Sequence, residues 1–168
     1  MTETSDATST GRDAFDVVLG EWHVSNRKRV DMLDQDSDEW VEFRSRGVHR
    51  PLPGRAGNLE TYETYEMPGV GEFHGLALRL YDPAEDIWRI WWSSSLTPGK
   101  LDPPLEGRFD AGRGTFVTDD VIAGRSIRVR FVWSDLGVDR ASWEQAFSRD
   151  EGQTWDTNWV MNMTRAEG

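Results

Sequence analysis

Apolar and polar residues alternate along nearly the whole chain, with turn residues at short intervals. Between residues 21 and 165 no segment has apolar residues at helical spacing, and the runs are rich in Val, Ile, Trp, Phe, Tyr and Thr. Gly, Asp, Asn and Pro separate these runs, since they supply the backbone conformations that reversals need. The pattern predicts an all-β domain of about ten strands. The predicted spans are 21–31, 39–49, 58–67, 71–81, 87–94, 105–109, 115–121, 125–134, 141–148 and 154–165.

The short connections between these strands constrain the topology. Strands that are close in sequence favour antiparallel pairing with their neighbours, and therefore an up-and-down barrel over a topology with crossovers. A β-sandwich is the alternative. The length of 168 residues suits one domain. We therefore expect a single β-barrel domain at 13–168, after a disordered polar tail at 1–12.

Charge and composition exclude several classes of partner. The net charge is −11, whereas phosphate binding needs clustered Lys and Arg, so we expect neither a nucleic-acid nor a membrane partner. No segment approaches the roughly 18 apolar residues of a membrane span, and the start lacks a signal sequence. Cysteine is absent, which removes disulfides and thiolate metal sites. The sequence thus predicts a cytoplasmic protein.

Three late strands show which side chains face the interior. Bulky apolar residues alternate there with polar ones, so the apolar set must point inward. The inward set is Ile127, Val129, Phe131, Trp133, Trp143, Phe147, Trp159, Met161 and Met163. The same register places Gln145 inside as a buried amide. Further candidates for inward polar groups are His74, Glu42, Tyr62 and Arg79.

A closed barrel of about ten strands is too wide to be filled by small side chains, so a ligand cavity is expected. Large rings with a few polar groups suit a small hydrophobic or aromatic molecule, largely apolar or planar in shape. The leading hypothesis is therefore small-molecule binding by a lipocalin-like barrel. The predicted lining is His74, Gln145, Trp133, Trp159, Met161 and Arg79. The alternative is that the aromatic residues simply fill the interior.

Two other functions stay open at this stage. The first is a cofactor-free enzyme, such as a cyclase, isomerase or dehydratase of specialised metabolism, in which His74, Glu42 or Tyr62 moves a proton. The second is a structural or partner-binding barrel with a filled core. In that case the strand Ile87–Trp92, which is apolar on both faces, would form the interface of a homodimer.

No metal or cofactor is predicted. The three histidines, His23, His49 and His74, lie on three different strands without ligand spacing. Ten-stranded haem barrels similar to nitrobindin bind iron through a histidine near the C-terminal end, and here no histidine follows His74. The acidic stretch 34–38 resembles the start of a calcium loop but lacks the required Gly and Glu, so it is interpreted as a hairpin tip.

The start of the predicted domain carries a family resemblance. A helical turn is expected at 13–20, with an Asp N-cap, and the Gly20-Glu21-Trp22 that follows resembles the Gly-x-Trp opening of lipocalins and related calycin barrels. In that superfamily the Trp closes one end of the barrel and an Arg of the last strand stacks on it. The resemblance implies structural roles for Trp22 and Arg165, joined by a cation–π contact.

The chain from about residue 13 to 165 also resembles the DUF1579-type bacterial lipocalin-like proteins. The matching stretches are Phe15–Trp22, Leu101–Pro104 and Trp143–Ser148. The resemblance implies a calycin-type barrel and no settled activity.

The segment Ser148–Trp155 matches the Asp box of sialidase propeller blades, S-x-D-x-G-x-T-W. In this device Asp150 can accept turn N–H groups, Gly152 takes a positive φ, and Trp155 packs on the strands. A propeller needs many repeats, and the motif occurs once. The box is therefore interpreted as a structural feature of the last hairpin.

Overall fold

The computed structural model describes residues 11–167, in which ten antiparallel strands close into a barrel. Each strand pairs with its sequence neighbours, and the first strand pairs with the last. The predicted up-and-down barrel is thus confirmed, and the sandwich alternative is wrong. The strands are β1 Gly20–Arg29, β2 Trp40–Pro51, β3 Gly57–Met67, β4 Gly71–Asp82, β5 Ile87–Ser94, β6 Leu105–Asp110, β7 Arg113–Ile122, β8 Arg125–Ser134, β9 Arg140–Ser148 and β10 Asp156–Arg165.

The N-terminal turn differs in detail from the prediction. It consists of two short 3-10 helices, Gly11–Asp13 and Asp16–Val18, and a third, Pro53–Arg55, lies between β2 and β3. The expected Asp N-cap is wrong, because Phe15 occupies the cap position of the second helix and its side chain makes no capping bond. A helix this short is held by tertiary packing rather than by its cap.

The folded domain begins earlier than predicted. The Trp88 Nε1 donates a hydrogen bond of 2.8 Å to the Gly11 carbonyl, and Arg12 Nη2 donates one of 2.8 Å to the Gly54 carbonyl. Gly11 and Arg12 both fall within the segment 1–12 that is predicted to be a disordered tail. The rest of that tail, residues 1–10, lies outside the described residues.

The N-terminal segment closes one end of the barrel. Phe15 is 1% exposed and meets the rings of Trp88, Phe109 and Trp133 edge-on, at centroid distances of 4.9, 4.8 and 5.7 Å. Such edge-to-face contacts add to the gain from burying the ring. The opposite end, formed by the β1–β2, β3–β4 and β5–β6 loops, is open.

Arg165 connects the last strand, β10, to the N-terminal segment, which forms a plug at this end of the barrel. Its guanidinium carbon lies 4.0 Å from the centroid of the Trp22 ring, which is fully buried. Arg165 also donates hydrogen bonds to the carbonyls of Val17, Leu19 and Val138, and Trp22 Nε1 donates one to Val18. The pair predicted from the calycin resemblance therefore lies at the closed end.

The Asp box forms the β9–β10 connection. The Asp150 carboxylate accepts hydrogen bonds from the Thr154 amide at 2.8 Å and the Thr154 hydroxyl at 2.6 Å. Ser148 donates to the same carboxylate and accepts from the Gly152 amide, and Gly152 has a φ of 90°. Trp155 lies beneath the Arg130 guanidinium at 4.4 Å. Hydrogen bonds from Thr154 and Ser148 lower the pKa of Asp150 to about 2.

Substituting Asp150 gives a pH-dependent effect on stability. We expect Asp150→Ala to lower the Tm at pH 7, since the turn loses its acceptor. The native pKa lies below the unfolded value, so the contribution is full above about pH 4 and disappears as the pH falls through about 2. Thermal unfolding between pH 2 and 7 measures this, with Glu151→Gln in the same turn as the control. A Tm difference independent of pH would contradict the assigned hydrogen bonds.

Strand β5 carries bulky apolar residues on both faces, as the sequence indicated. Trp88 and Ile90 are buried, and Phe15 of the N-terminal segment packs against Trp88. Trp91 alternates with them on the outer face and is half-buried. A homodimer through this outer face stays a prediction, which light scattering at high concentration tests.

Candidate ligand-binding cavity

A cavity of about 580 Å³ occupies the barrel between the N-terminal plug and the open end. All ten strands contribute side chains to its wall, and most of these are apolar. Besides the predicted residues, the aromatic wall includes Phe43, Phe73, Trp92, Phe131, Trp143 and Phe147. The alternative of a filled interior is therefore wrong.

The structure places five of the six predicted lining residues on this wall. They are Gln145, Trp133, Trp159, Met161 and Arg79. The three late strands supply four of them, because strict alternation fixes their inward faces. Tyr62, an acid–base candidate, also lies on the wall and is buried.

The expectation that His74 points inward is wrong. Its side chain lies on the outer face of β4, is 46% exposed and has Nε2 2.8 Å from the Glu72 carboxylate. The physical reason is the register of β4, in which Phe73, Ala77 and Arg79 are buried inside. Because neighbours in a strand point to opposite faces, His74 must then point out.

Glu42 is likewise on the outside, exposed beside the inward-facing Phe43. Of the three residues predicted to move a proton, only Tyr62 reaches the cavity. Burial raises the pKa of Tyr62 well above its usual value, so the phenol stays neutral. The acid–base assignments of the enzyme alternative are therefore wrong for His74 and Glu42.

The buried amide of Asn26 holds two aromatic side chains of the cavity wall in place. Asn26 Oδ1 accepts hydrogen bonds from the Tyr62 hydroxyl at 2.9 Å and from Trp159 Nε1 at 3.1 Å. Asn26 Nδ2 donates to the Ser45 hydroxyl at 2.8 Å. Asn26 is not among the residues predicted to face inward, although its spacing of two from Val24 and four from Trp22 indicates an inward position. These bonds fix the tilt of both rings.

The cavity floor carries a buried ion pair. Arg79, which is 2% exposed, donates hydrogen bonds to the Glu60 carboxylate and, at 2.8 Å, to Asn58 Oδ1. Its Nη1 also lies 3.2 Å from His49 Nδ1. The guanidinium carbon lies 5.0 Å from the centroid of the Phe15 ring and 4.9 Å from that of the Trp133 ring. Contact with aromatic rings suits the flat, weakly hydrated guanidinium.

Electrostatics at the floor keep the pair charged and the histidine neutral. Burial lowers the pKa of His49 to about 4, so its ring is uncharged at pH 7. Burial also disfavours the Glu60 carboxylate, but its attraction to the Arg79 guanidinium and the hydrogen bond between them outweigh this and hold the pKa of Glu60 below its ordinary value. The floor therefore presents an ionised carboxylate with its counterion, and their charges cancel.

The mouth of the cavity has charged residues of both signs. Burial, with the nearby Asp120, raises the pKa of Asp102, and both carboxylates line the opening. Lys28 also lines it, with Nζ 5.5 Å from the Trp159 ring centroid. Burial lowers the pKa of Lys28. The loops around the mouth thus differ from the apolar walls below.

Within residues 11–167 no cluster of His, Asp and Glu has the arrangement of a metal site. The cavity wall holds none of the three histidines, all of which belong to the described part of the chain. In that same part no helix has the length and apolar character needed to cross a bilayer.

The closed ten-stranded barrel, the Trp22–Arg165 contact at its closed end and the interior cavity define a lipocalin-like barrel fold. Solved structures with a similar fold include the following two. Rv2717c from M. tuberculosis has a TM-score of 0.62 and 10% identity, covering 94% of this chain and 98% of that one. The S-type phycobiliprotein lyase CPES from Guillardia theta has a TM-score of 0.61 and 10% identity, covering 96% and 95%. At this identity the likeness is one of fold.

No protein-family model and no curated protein matches the sequence. The comparisons therefore support the barrel fold alone, and the resemblance to the DUF1579-type proteins stays a prediction.

Proposed function

We propose that this protein binds a small, largely apolar or planar molecule inside the barrel. The observation that carries the proposal is the cavity of about 580 Å³, closed by the Phe15 plug and open at the other end. Its volume falls within the roughly 300–1,000 Å³ of small-molecule sites, which are also mostly apolar with a few polar groups.

The wall favours flat ligands. Phe73 and Trp92 are stacked, with an interplanar angle of 22°, and Trp143 meets Trp159 edge-on at 5.9 Å. Asn26 holds Trp159 and Tyr62 through hydrogen bonds, so the rings are oriented before a ligand arrives. Such preorganisation reduces the entropy lost on binding. Aromatic faces prefer stacked or edge-on partners, which a planar conjugated molecule supplies.

One neighbour with this fold is a phycobiliprotein lyase. That likeness is consistent with a small tetrapyrrole-type molecule as one ligand of the proposed class. The proposal itself rests on the cavity and requires no tetrapyrrole.

Binding inside the cavity is tested with Nile red, a neutral, flat and apolar dye. We expect saturable binding with increased dye emission, and Ala77→Phe to weaken it about tenfold or more, because the new ring occupies the cavity beside Glu60 and Trp92. Fluorescence titration measures both affinities. Leu78→Phe is the matched control, since this position alternates to the outer face of the same strand.

Equal affinity of the two variants would place the dye outside the cavity. Absence of saturable binding to the unmodified protein would overturn the proposal. Native mass spectrometry of the freshly purified protein, compared with its denatured mass, complements the titration because an enclosed apolar cavity retains molecules bound during expression. A discrete excess mass lost on denaturation supports the proposal and gives the mass of the ligand.

A further inference from the structure

Glu60 supplies a free hydrogen-bond acceptor at the cavity floor. It lines the cavity, and its side chain is 11% exposed although it lies deep in the barrel. Its Oε2 accepts from Arg79. Its Oε1 accepts no hydrogen bond from the described residues, and His49 Nε2 lies 3.8 Å away, beyond hydrogen-bond distance. One carboxylate oxygen therefore keeps its lone pairs available.

Arg79, the cation beside Glu60, has no accessible hydrogen-bond donor left for a ligand. Its terminal nitrogens donate to Asn58 and Glu60, and Nη1 also contacts His49. Its Nε has no partner in the described part of the chain, but that atom is buried away from the cavity surface. The rings of Phe15 and Trp133 also pack against the guanidinium. Within this ion pair the hydrogen-bonding atom left free for a ligand is therefore Glu60 Oε1.

Three donors of the surrounding wall are likewise used within the protein. The Tyr62 hydroxyl and Trp159 Nε1 both donate to Asn26 Oδ1. Gln145 Nε2 donates to Asn158 Oδ1 at 2.9 Å, and its carbonyl oxygen accepts no hydrogen bond from residues 11–167. Glu60 Oε1 and the Gln145 carbonyl oxygen thus remain available as acceptors.

Given the proposed function, on which this inference rests, we propose that Glu60 determines which ligands bind. The ligand is neutral and flat, with an O–H or N–H group at its deep end, and this group donates a hydrogen bond to Glu60 Oε1. Phenols, indoles, pyrroles and lactams have this chemistry.

The free carboxylate oxygen at the floor disfavours other head groups. A ligand carboxylate would place a second negative charge next to Glu60 Oε1 in a desolvated site, which weakens binding unless a proton is taken up. A head group with acceptors only would leave the Glu60 oxygen unpaired. A hydrogen bond to a charged acceptor is among the strongest that a neutral ligand can make.

Three matched probes test the inference by isothermal titration calorimetry at pH 7: 2-naphthol, 2-methoxynaphthalene and 2-naphthoate. They share one ring system and differ in the head group. We expect 2-naphthol to bind about tenfold tighter than 2-methoxynaphthalene, and 2-naphthoate to bind weakest. Equal affinities of the first two, or tightest binding of 2-naphthoate, would overturn the inference.

Variants then assign the preference to Glu60. We expect Glu60→Gln to reduce the preference for 2-naphthol over 2-methoxynaphthalene to below about threefold. In this variant the amide oxygen keeps the hydrogen bond from Arg79, and an N–H donor replaces the free acceptor Oε1. Glu63→Gln, on the outer face of the same strand, is expected to keep the full preference. If Glu60→Gln kept the full preference for 2-naphthol, Glu60 would not be the residue that causes it.

The inference and the proposed function fail in different ways. If Nile red binds in the cavity but the naphthalenes show no preference, only the role of Glu60 is wrong. If neither the dye nor any naphthalene binds saturably, the proposed function is wrong and this inference with it. The comparison of probes uses the unmodified protein, so it decides the matter even if Glu60→Gln does not fold.

Discussion

Arg79→Met is expected to lower the free energy of unfolding by about 3–5 kcal/mol. The substitution keeps an unbranched apolar stem in contact with Phe15 and Trp133 but removes the cation. It leaves the Glu60 carboxylate buried without its ion-pair partner. Breaking a buried pair from one side costs far more than the pair itself contributes, because the remaining charge has lost its water as well. Urea denaturation at pH 7 measures the loss.

The double variant Arg79→Met/Glu60→Leu is the decisive comparison. With both charges replaced by apolar groups, no unpaired ion remains, and we expect most of the stability to return. A double variant as unstable as Arg79→Met would show that the loss came from packing against the two rings. In that case the electrostatic explanation would be wrong.

The same variant has a diagnostic pH dependence. Without Arg79, burial is expected to raise the native pKa of Glu60 above its unfolded value of about 4.3. Protonation then favours the folded state, so the loss of stability is full above the native pKa and shrinks as the pH falls through it. Urea denaturation at pH 5 and pH 8 checks the sign. A loss that grows on acidification would contradict it.

Arg165→Ala is expected to cost about 2–4 kcal/mol of stability. Stacking on Trp22 alone predicts about 1–2 kcal/mol, and the bonds to the carbonyls of Val17, Leu19 and Val138 add to this. The substitution separates the N-terminal plug from the last strand. Urea denaturation measures the effect, while Nile red affinity should stay within about twofold, since Arg165 lies at the closed end.

Two further variants define the cause of this effect. Arg165→Lys keeps the charge above Trp22 but cannot reach three carbonyls, so an intermediate loss is expected. Arg140→Ala removes an exposed arginine at the start of β9 and should change stability little. An unchanged free energy of unfolding in Arg165→Ala would contradict the structural role of the Trp22–Arg165 pair.

Much of the barrel was predictable from residue type and order. In β8, apolar Ile127, Val129, Phe131 and Trp133 alternate with Arg128 and Arg130, which leaves one register that buries the apolar set. The turn residues between strands fixed where the chain reverses. Neighbouring strands joined by such short connections pair with one another, which explains why the strand order followed from the sequence.

Strand β4 shows where this argument fails. Its leucines, Leu76, Leu78 and Leu80, lie half-buried on the outer face, while Arg79 is inside. Because side chains alternate along a strand, either of its two faces could point into the barrel. Hydrophobicity alone selects the leucine face of β4, which is the wrong one, because the inward face contains a buried arginine. Arg79 can be buried because Glu60, on a different strand, neutralises it. That compensation depends on a contact between strands, which the local pattern does not contain.

The sequence by itself therefore determined the strands, their antiparallel order and the inward faces of the late strands, because these depend on local periodicity and turn chemistry. Only the tertiary structure decided what lies at the cavity floor. Glu60 on the cavity wall, and Asn26 and His49 buried behind it, have partners only because distant strands bring these within hydrogen-bond distance. Burial of a polar group is favourable only once those partners are present. The floor of the cavity, and with it the proposed choice of ligand, is thus a property of the closed barrel.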